Sequence, residues 1–208
     1  MPVIRETIVT QPEKVCLDNQ RCYLVSSRYG DASKIMAAKL LDSLHNDCLL
    51  LVRHMRNNYL WNTNMKDPAV NLRKILAKNL TTRYNADVIV ENVPISNTDT
   101  SYTIDKGGKL AICLRNKQSD YYTFESYPEL QFVAFHELSH IATDVPHHND
   151  DFWVVFKVLL EEAERVKIYT PKNYSINPII YCGLNVRYNP YFDENINEMD
   201  LYHRLDTI

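Results

Sequence analysis

Glycine is scarce in this sequence of 208 residues, which contains only four glycines and no internal repeat. This scarcity excludes collagen-like chains and glycine-rich linkers. No stretch approaches the roughly 18 consecutive apolar residues of a membrane-spanning helix, and residues 1–20 lack the apolar run of a classical signal peptide. We therefore expect an intracellular protein of the cytoplasm or nucleus, with the virion as an alternative location and no membrane partner.

Cysteine occurs five times, an odd number, and forms no CxxC pair. We expect reduced and mostly buried thiols, as is usual in a cytosolic compartment. An excess of basic charge is also missing, because 26 acidic residues outnumber 23 lysines and arginines. The composition therefore does not favour nucleic acid or an anionic membrane as the partner of the whole chain.

The hydrophobic fraction of 45% is ordinary for a globular protein, and a chain of this length can bury a core without disulfides. Apolar residues at helical spacing predict four helices, over residues 31–59, 68–80, 127–142 and 150–168. Other segments are rich in β-branched or alternating residues and predict strands at 87–93, 101–104 and 109–115, with a short strand near 179–187. The fold class is therefore α+β, with a small, mostly antiparallel sheet and N-terminal scaffold helices on one side of it.

Residue types at the helix starts support these boundaries. Asp31 or Ser33 can cap the first helix, and Asp67 followed by proline suits the start of the second. Ser126 and Glu129 have the spacing of a capping box at the third. We divide the chain into an irregular or short-stranded lead-in, a main domain and a tail packed on that domain, over residues 1–30, 31–168 and 169–208.

The strongest chemical signal is His136-Glu137-Leu138-Ser139-His140, an HExxH motif on the third predicted helix. Positions four apart differ by about 40° around a helix, so both imidazoles project from one face. Two imidazole nitrogens placed in this way can hold one Zn²⁺, and a neighbouring carboxylate can reach a water on the metal. Random placement of the seven histidines and the glutamates gives such a motif with a probability on the order of 1%. The motif therefore predicts a zinc site with His136 and His140 as ligands and Glu137 as the base.

A tetrahedral catalytic zinc needs a third protein ligand and an open fourth position. The metzincin pattern is excluded, because Thr143 and Pro146 stand where it has glycine and histidine. A thermolysin-like glutamate would come from the fourth helix, where the candidates also fit a solvated face: Glu161, Glu162 and Glu164. The loop after the motif offers His147 and His148, and spacing alone leaves both open. Cys182 in the tail is a further candidate, as a thiolate.

His148 begins the segment His148-Asn149-Asp150-Asp151-Phe152-Trp153, which has the form HxxxFW. Together with the HELSH sequence, this segment resembles the WLM and SprT-like zinc metallopeptidases, and residues 104–109 and 112–115 resemble the turn and strand before their active helix. The resemblance covers about residues 85–165. It implies a zincin-like fold, Glu137 as general base and acid, and three ligands: His136, His140 and His148. The sequence Tyr181-Cys182-Gly183 is similar to a segment of homologues from large DNA viruses.

These residues predict a zinc metalloendopeptidase with Zn²⁺ as its cofactor and a protein or peptide as its substrate. Glu137 is expected to take a proton from the zinc-bound water and to give it to the leaving amine. The substrate is expected to pair with an exposed edge strand over residues 109–115, with three alternating side chains as contacts: Leu110, Ile112 and Leu114. Arg115 and several tyrosines are candidates for stabilising the oxyanion. Three carboxylates are candidates for orienting the ligand histidines: Asp144, Asp150 and Asp151.

The resemblance also implies action on proteins attached to DNA, but the composition gives this little support. The basic residues of the predicted helices fit a solvated face better than a DNA-binding patch: Arg53, Arg56, Arg73, Lys74 and Lys78. The alternative function is a non-enzymatic, structural or virion-associated protein whose fold a zinc ion stabilises. Closed four-ligand coordination, with both His147 and His148 or with Cys182, would indicate that alternative.

Overall fold

The computed structural model describes residues 11–18, 20–63, 67–92, 100–105, 107–119, 123–143, 147–199 and 201. The helices are α1 (Asp31–Met55), α2 (Pro68–Arg83), α3 (Tyr127–Ala142) and α4 (Asp150–Arg165). The strands are β1 (Pro12–Cys16), β2 (Cys22–Ser26), β3 (Ile89–Asn92), β4 (Tyr102–Ile104), β5 (Lys109–Cys113), β6 (Ile179–Tyr181) and β7 (Leu184–Val186). In the part of the chain that the structure describes, none of the helices is long and apolar enough to cross a bilayer.

Five of the strands form one sheet in the order β1-β2-β3-β5-β4. β1 and β2 are antiparallel, β3 is parallel to both β2 and β5, and β4 is antiparallel to β5. β6 and β7 form a separate antiparallel hairpin. Three of the five pairings among the described strands are therefore antiparallel, and the α+β class with a small, mostly antiparallel sheet is confirmed.

The position of β5 corrects one prediction. β5 lies between β3 and β4, so residues 109–115 are not an exposed edge strand. Leu110, Ile112 and Leu114 are fully buried and cannot contact a substrate directly. The prediction failed because the sequence pattern reveals the local hairpin but not the parallel pairing with β3, which covers the second side of the strand. The edge strand on this side of the sheet is β4.

α1 begins at Asp31, and a short π-helical segment over Arg56–Leu60 continues it to nearly the predicted end. Its predicted apolar stripe is fully buried at every position within the α-helical part: Leu41, Leu44, Cys48, Leu51 and Met55. The N-cap is Gly30 rather than Asp31 or Ser33, and the hydroxyl of Ser33 instead accepts a hydrogen bond from Arg115 at 2.7 Å. In α2, Asp67 is the N-cap as predicted, and its carboxylate accepts from the amide of Ala69 at 3.0 Å.

α3 has the bounds that the sequence predicts, and it packs against the other three helices as well as β4 and β5. The predicted capping box is wrong in detail. The amide of Glu129 donates to the main-chain carbonyl of Ser126 and not to its hydroxyl. α4 begins after Asn149, whose side-chain oxygen accepts from the amide of Phe152 at 3.0 Å. This cap fixes the point at which the chain after α3 enters α4.

The turn between β4 and β5 depends on Gly107, whose φ of +110° is a backbone conformation that side chains rarely adopt. A Cβ at this position would run into the main-chain carbonyl of Arg83 at the end of α2. The glycine therefore lets the turn sit directly on the helix layer, close to Ile141 of α3.

The lead-in contributes the hairpin of β1 and β2 to the sheet, in keeping with a short-stranded segment. In the tail, the single strand expected near 179–187 is the hairpin of β6 and β7. The division into lead-in, main domain and tail remains a prediction.

The expectation of reduced thiols is wrong for this structure: disulfides join Cys16 to Cys22 and Cys113 to Cys182, and Cys48 is free and buried. The second bond links residues 69 positions apart, a proximity that sequence spacing does not reveal.

Candidate metal centre and cleft

Three histidines converge at the end of α3 and the start of α4. One ring nitrogen from each of His136, His140 and His148 lies within 4.8 Å of the others. Nε2 of His148 is 2.9 Å from Nε2 of His136 and 3.2 Å from Nε2 of His140. His147 is described but is not part of this group. The structure therefore brings together the three histidines that the sequence singled out, while their role as ligands remains a prediction.

The local fold explains this convergence. His136 and His140 lie one turn apart on α3, which places both rings on the same side of the helix. The ring of Phe152, in the first turn of α4, stacks on His140 with centroids 4.3 Å apart and lies 4.7 Å from His148. The ring of Phe156, one turn later, is 5.2 Å from His136. The aromatic side chains of α4 thus pack against all three imidazoles.

Electrostatics favour neutral imidazoles at this position. Burial, helped by the neighbouring rings of His140 and His148, holds the pKa of His136 well below its ordinary value of 6.5. Burial and the adjacent His147 lower the pKa of His148 in the same direction. A neutral imidazole keeps a lone pair free for a metal ion, so the cluster is suited to bind a cation.

Glu137 lies beside the cluster, only 5% exposed. Burial raises the pKa of its carboxyl group to about 8, and a hydrogen bond from the amide of Thr103 on β4 acts in the opposite direction. A cation nearby would favour the charged form and lower this pKa. A carboxyl group whose proton affinity depends so strongly on its surroundings is suited to accept and donate a proton.

The other candidate ligands lie elsewhere. Glu162 is fully buried, forms an ion pair with Arg73 at 2.8 Å and is hydrogen-bonded to His54 at 2.8 Å, so its prediction as part of a solvated face is wrong. The carboxylate of Glu161 pairs with Arg73, and that of Glu164 accepts a hydrogen bond from the hydroxyl of Tyr191. The thermolysin-like alternative therefore has no support in the described residues, and the sulfur of Cys182 is bonded to Cys113 rather than to a metal site.

Several polar predictions change as well. Arg115, a candidate for oxyanion stabilisation, is 1% exposed and pairs with Glu91 at 2.5 Å. Its guanidinium lies between the rings of Tyr29 and Phe124, so it is a structural residue. Arg73 is also buried, which removes it from the expected solvated face. Asp144 lies outside the described residues, and Asp150 and Asp151 form the first turn of α4.

A cleft of about 780 Å³ opens above the histidines and Glu137. One wall is the chain from Thr100 to Thr103, which includes the exposed edge of β4. The tail segment Leu184–Tyr188, which includes β7, forms another wall. The floor is aromatic and comes from three side chains of α3 and α4: Phe132, Trp153 and Phe156. The sequence predicts a tail packed on the main domain, but it gives no signal for the individual wall residues.

Comparison with known proteins gives partial relationships. No protein-family model matches the chain. Uncharacterized protein R325 of Acanthamoeba polyphaga mimivirus is 32% identical over 96 residues, which are 46% of this chain and 47% of that protein. Uncharacterized protein 136R of Invertebrate iridescent virus 6 is 30% identical over 81 residues, which are 39% of this chain and 45% of that protein. The matched region thus spans less than half the length of each relative.

Among solved structures, the crystal structure of a Wss1 mutant from Saccharomyces cerevisiae is similar to this chain at 19% identity and a TM-score of 0.38. The similarity covers 52% of this chain and 88% of that chain. The two relatives named above are viral proteins, and the resemblance of residues 181–183 to viral homologues remains a prediction. The assignment to the WLM and SprT-like families is carried by the HELSH and HxxxFW segments and remains a prediction.

Proposed function

We propose that this chain is a zinc-dependent metallopeptidase that hydrolyses peptide bonds in protein substrates. The observation that carries the proposal is the convergence of three imidazole nitrogens next to the buried carboxyl group of Glu137, in the lining of a cleft of about 780 Å³. Three histidines and an open position are a donor set of catalytic zinc sites. The HExxH spacing and the resemblance to WLM and SprT-like metallopeptidases support the same assignment.

The donor set fits zinc. Nitrogens that are 2.0–2.1 Å from a tetrahedral ion lie about 3.3–3.4 Å from one another. The Nε2 atoms of His148 and His140 are 3.2 Å apart, and those of His148 and His136 are 2.9 Å apart. A modest outward movement of the rings would therefore accommodate the ion. The metal-capable group of the described residues contains three members, which favours an open fourth position over a closed structural site.

In this proposal the metal ion, Glu137 and the aromatic rings have separate roles in the hydrolysis. When bound, the zinc ion supplies a Lewis acid that acidifies water and polarises the scissile carbonyl group. Glu137 accepts the proton of the attacking water and delivers it to the leaving nitrogen, which balances the hydrolysis. Burial of this carboxyl group keeps bulk water from competing for the proton. The rings of Phe152 and Phe156 contact His140 and His136 and hold the histidine rings in place during these steps.

The substrate strand proposed from sequence is replaced by β4. Its outer edge faces the cleft and can form main-chain hydrogen bonds with an extended peptide. The main chain of Thr103 on this strand acts to lower the pKa of the Glu137 carboxyl group, so this edge lies close to the proposed base. Activity on proteins attached to DNA is a finer prediction that rests on the resemblance alone.

The test uses purified protein, zinc and an unfolded protein substrate such as casein, with and without DNA. Glu137→Gln is expected to keep stoichiometric zinc and to lower the cleavage rate by about 10²-fold or more, because it removes the general base. Glu129→Gln, in the first turn of the same helix, is the matched control and should cleave like the wild type. His148→Ala should lose zinc affinity while His147→Ala retains it. Wild-type activity in Glu137→Gln, or zinc retention in His136→Ala at wild-type affinity, would refute the proposal.

A further inference from the structure

The tail strand β7 faces the candidate cleft more directly than its partner β6. β7 and the two residues after it line the cleft from Leu184 to Tyr188, whereas Tyr181 is the one described residue of β6 that reaches it. β6 therefore lies on the far side of the hairpin. The strand next to the cleft is β7, and its edge that is not paired with β6 is the outer edge of the hairpin.

The register of the hairpin shows which main-chain groups lie on that edge. The turn residues Cys182 and Gly183 have φ values of 47° and 83°, typical of a two-residue type I′ turn. Such a turn makes Tyr181 and Leu184 a hydrogen-bonded pair, so the next pair, Ile180 and Asn185, is not hydrogen-bonded. The N–H and C=O groups of Asn185 consequently point away from β6, toward the outer edge of β7.

The hairpin is held firmly against the sheet. The hydroxyl of Tyr181 donates to the carbonyl of Cys113 on β5 at 2.7 Å and lies 2.9 Å from the hydroxyl of Ser101, which precedes β4. The amide of Cys182 donates to the carboxylate of Glu125 at 2.8 Å, and the disulfide to Cys113 adds a covalent link. These contacts tie β7 to the same strands that position β4, so the two walls of the cleft form a preorganised pair.

The side chains between these walls form an apolar pocket. Val186 is opposite Ile179 in the hairpin and lines the cleft on the same side as Leu184. Phe132, one turn before His136 on α3, contributes the floor, and its ring lies 5.0 Å from that of Phe156. Because Phe156 also contacts His136, the pocket lies directly beside the candidate metal centre.

We propose that β7 is a second peptide-binding edge, so that an extended substrate lies between β4 and β7 and places a large apolar side chain against Leu184 and Val186, beside the buried rings of Phe132 and Phe156. The main chain of Asn185 pairs with the peptide on this side. The inference rests on the proposed function and adds a substrate class: an unfolded or extended segment with leucine, phenylalanine or methionine next to the scissile bond. A folded surface cannot extend along the two strand edges, and an acidic side chain is disfavoured in the apolar pocket.

Binding can be measured separately from cleavage in the Glu137→Gln background, loaded with zinc. The probes are two fluorescein-labelled decapeptides of alanine and serine that differ only at one central position, which is leucine in one and aspartate in the other. We expect the leucine peptide to bind at least about tenfold more tightly in fluorescence anisotropy, since a buried leucine side chain contributes on this scale. Equal affinity of the two peptides, or absence of binding at millimolar concentration, would overturn the inference.

Two matched proline substitutions test the edge itself. Asn185→Pro removes an outward N–H, and Ile180→Pro makes the same change at the opposite position of the ladder, outside the described lining of the cleft. Proline is tolerated where the N–H points away from the partner strand. We expect Asn185→Pro to weaken leucine-peptide binding about tenfold and Ile180→Pro to leave it within twofold. Equal effects of the two substitutions would overturn the role of β7.

Val186→Thr provides a test that preserves the shape of the side chain. It should weaken binding of the leucine peptide several-fold and leave the aspartate peptide unchanged, because it adds a hydroxyl to the apolar pocket. An equal effect on both peptides would contradict the pocket assignment.

If zinc-loaded wild type binds the leucine peptide in this pattern but does not cleave it, the proposed function fails while the second edge stands. If it cleaves both peptides equally, the function stands and this inference fails.

Discussion

The buried ion network around Glu162 offers a quantitative test of what holds the helices together. The guanidinium of Arg73 on α2 donates to Glu162 on α4 at 2.8 Å and also contacts Glu161 and Glu198. The Glu162 side chain is fully buried and that of Arg73 is 9% exposed. Arg73→Leu therefore leaves a buried carboxylate without its strongest partner. Removing one member of a buried pair costs about 3–5 kcal/mol, so we expect a loss of stability on this scale.

Urea denaturation followed by circular dichroism measures this loss, and Arg165→Leu is the control. Arg165 approaches the same carboxylate at 3.4 Å, but its side chain is 60% exposed, so its removal should cost less than about 1 kcal/mol. The double variant Arg73→Leu/Glu162→Leu should recover part of the loss, because the fully buried carboxylate is removed together with its partner. The reasoning is refuted if Arg73→Leu is no more destabilising than Arg165→Leu.

The same network predicts a pH dependence of stability. Burial acts to raise the pKa of Glu162, but the hydrogen bonds from Arg73 and His54 outweigh it, and the pKa lies below its ordinary value of 4.5. A carboxyl group whose pKa is lower in the folded state stabilises the fold above its unfolded value, and this contribution is lost as the pH falls through the folded value. Acid unfolding of the wild type should therefore steepen below about pH 4.5, and Glu162→Gln should flatten the curve there.

Two further pairs of substitutions test the turn and the disulfides. Gly107→Ala should cost about 1–3 kcal/mol, because the residue has a φ of +110° and faces the carbonyl of Arg83. Gly30→Ala meets open space at the N-cap of α1 and should cost less than about 1 kcal/mol. Denaturation of both variants checks this contrast, and equal losses would contradict it. Under oxidising conditions, loss of the disulfide through Cys182→Ser should cost about 4 kcal/mol and loss through Cys16→Ser about 2 kcal/mol, since the bonds close loops of 69 and 6 residues. A larger effect of Cys16→Ser would argue against the chain-entropy explanation.

Local sequence patterns predict the helices of this protein well, for a physical reason. Helix bounds depend on spacing, caps and breakers that lie within a few residues of one another. α3 was predicted at its observed bounds, and with it the HExxH arrangement of His136 and His140 follows from helix geometry alone. The capping box failed at the same helix, because the Ser126 carbonyl rather than its side chain meets the amide of Glu129.

Features that depend on contacts between distant segments were not predictable in the same way. The position of β5 inside the sheet requires its pairing with β3, about 20 residues earlier in the chain. The burial of Glu162 requires Arg73 from another helix, and the bond of Cys113 to Cys182 requires the tail to fold back over β5. In each case the residue types alone fit a simpler environment: an edge strand, a solvated face or a reduced thiol. A single sequence carries no signal that distinguishes these alternatives.

The position of His148 depends on both local sequence and contacts between helices, and the structure explains why the HxxxFW pattern predicts it. The residue lies in a loop, so helix spacing does not place it. Phe152, four positions later, is fully buried and stacks on His140, while the ring of Trp153 lies 5.7 Å from His148. The aromatic pair thereby fixes the start of α4 against the histidine face of α3, and the Asn149 cap sets where the loop ends. His148 directly precedes the capping residue, so the imidazole at the first position of the pattern is brought to the other two. The aromatic residues carry the signal because they position the histidine, and His147, one residue earlier, lies outside the group.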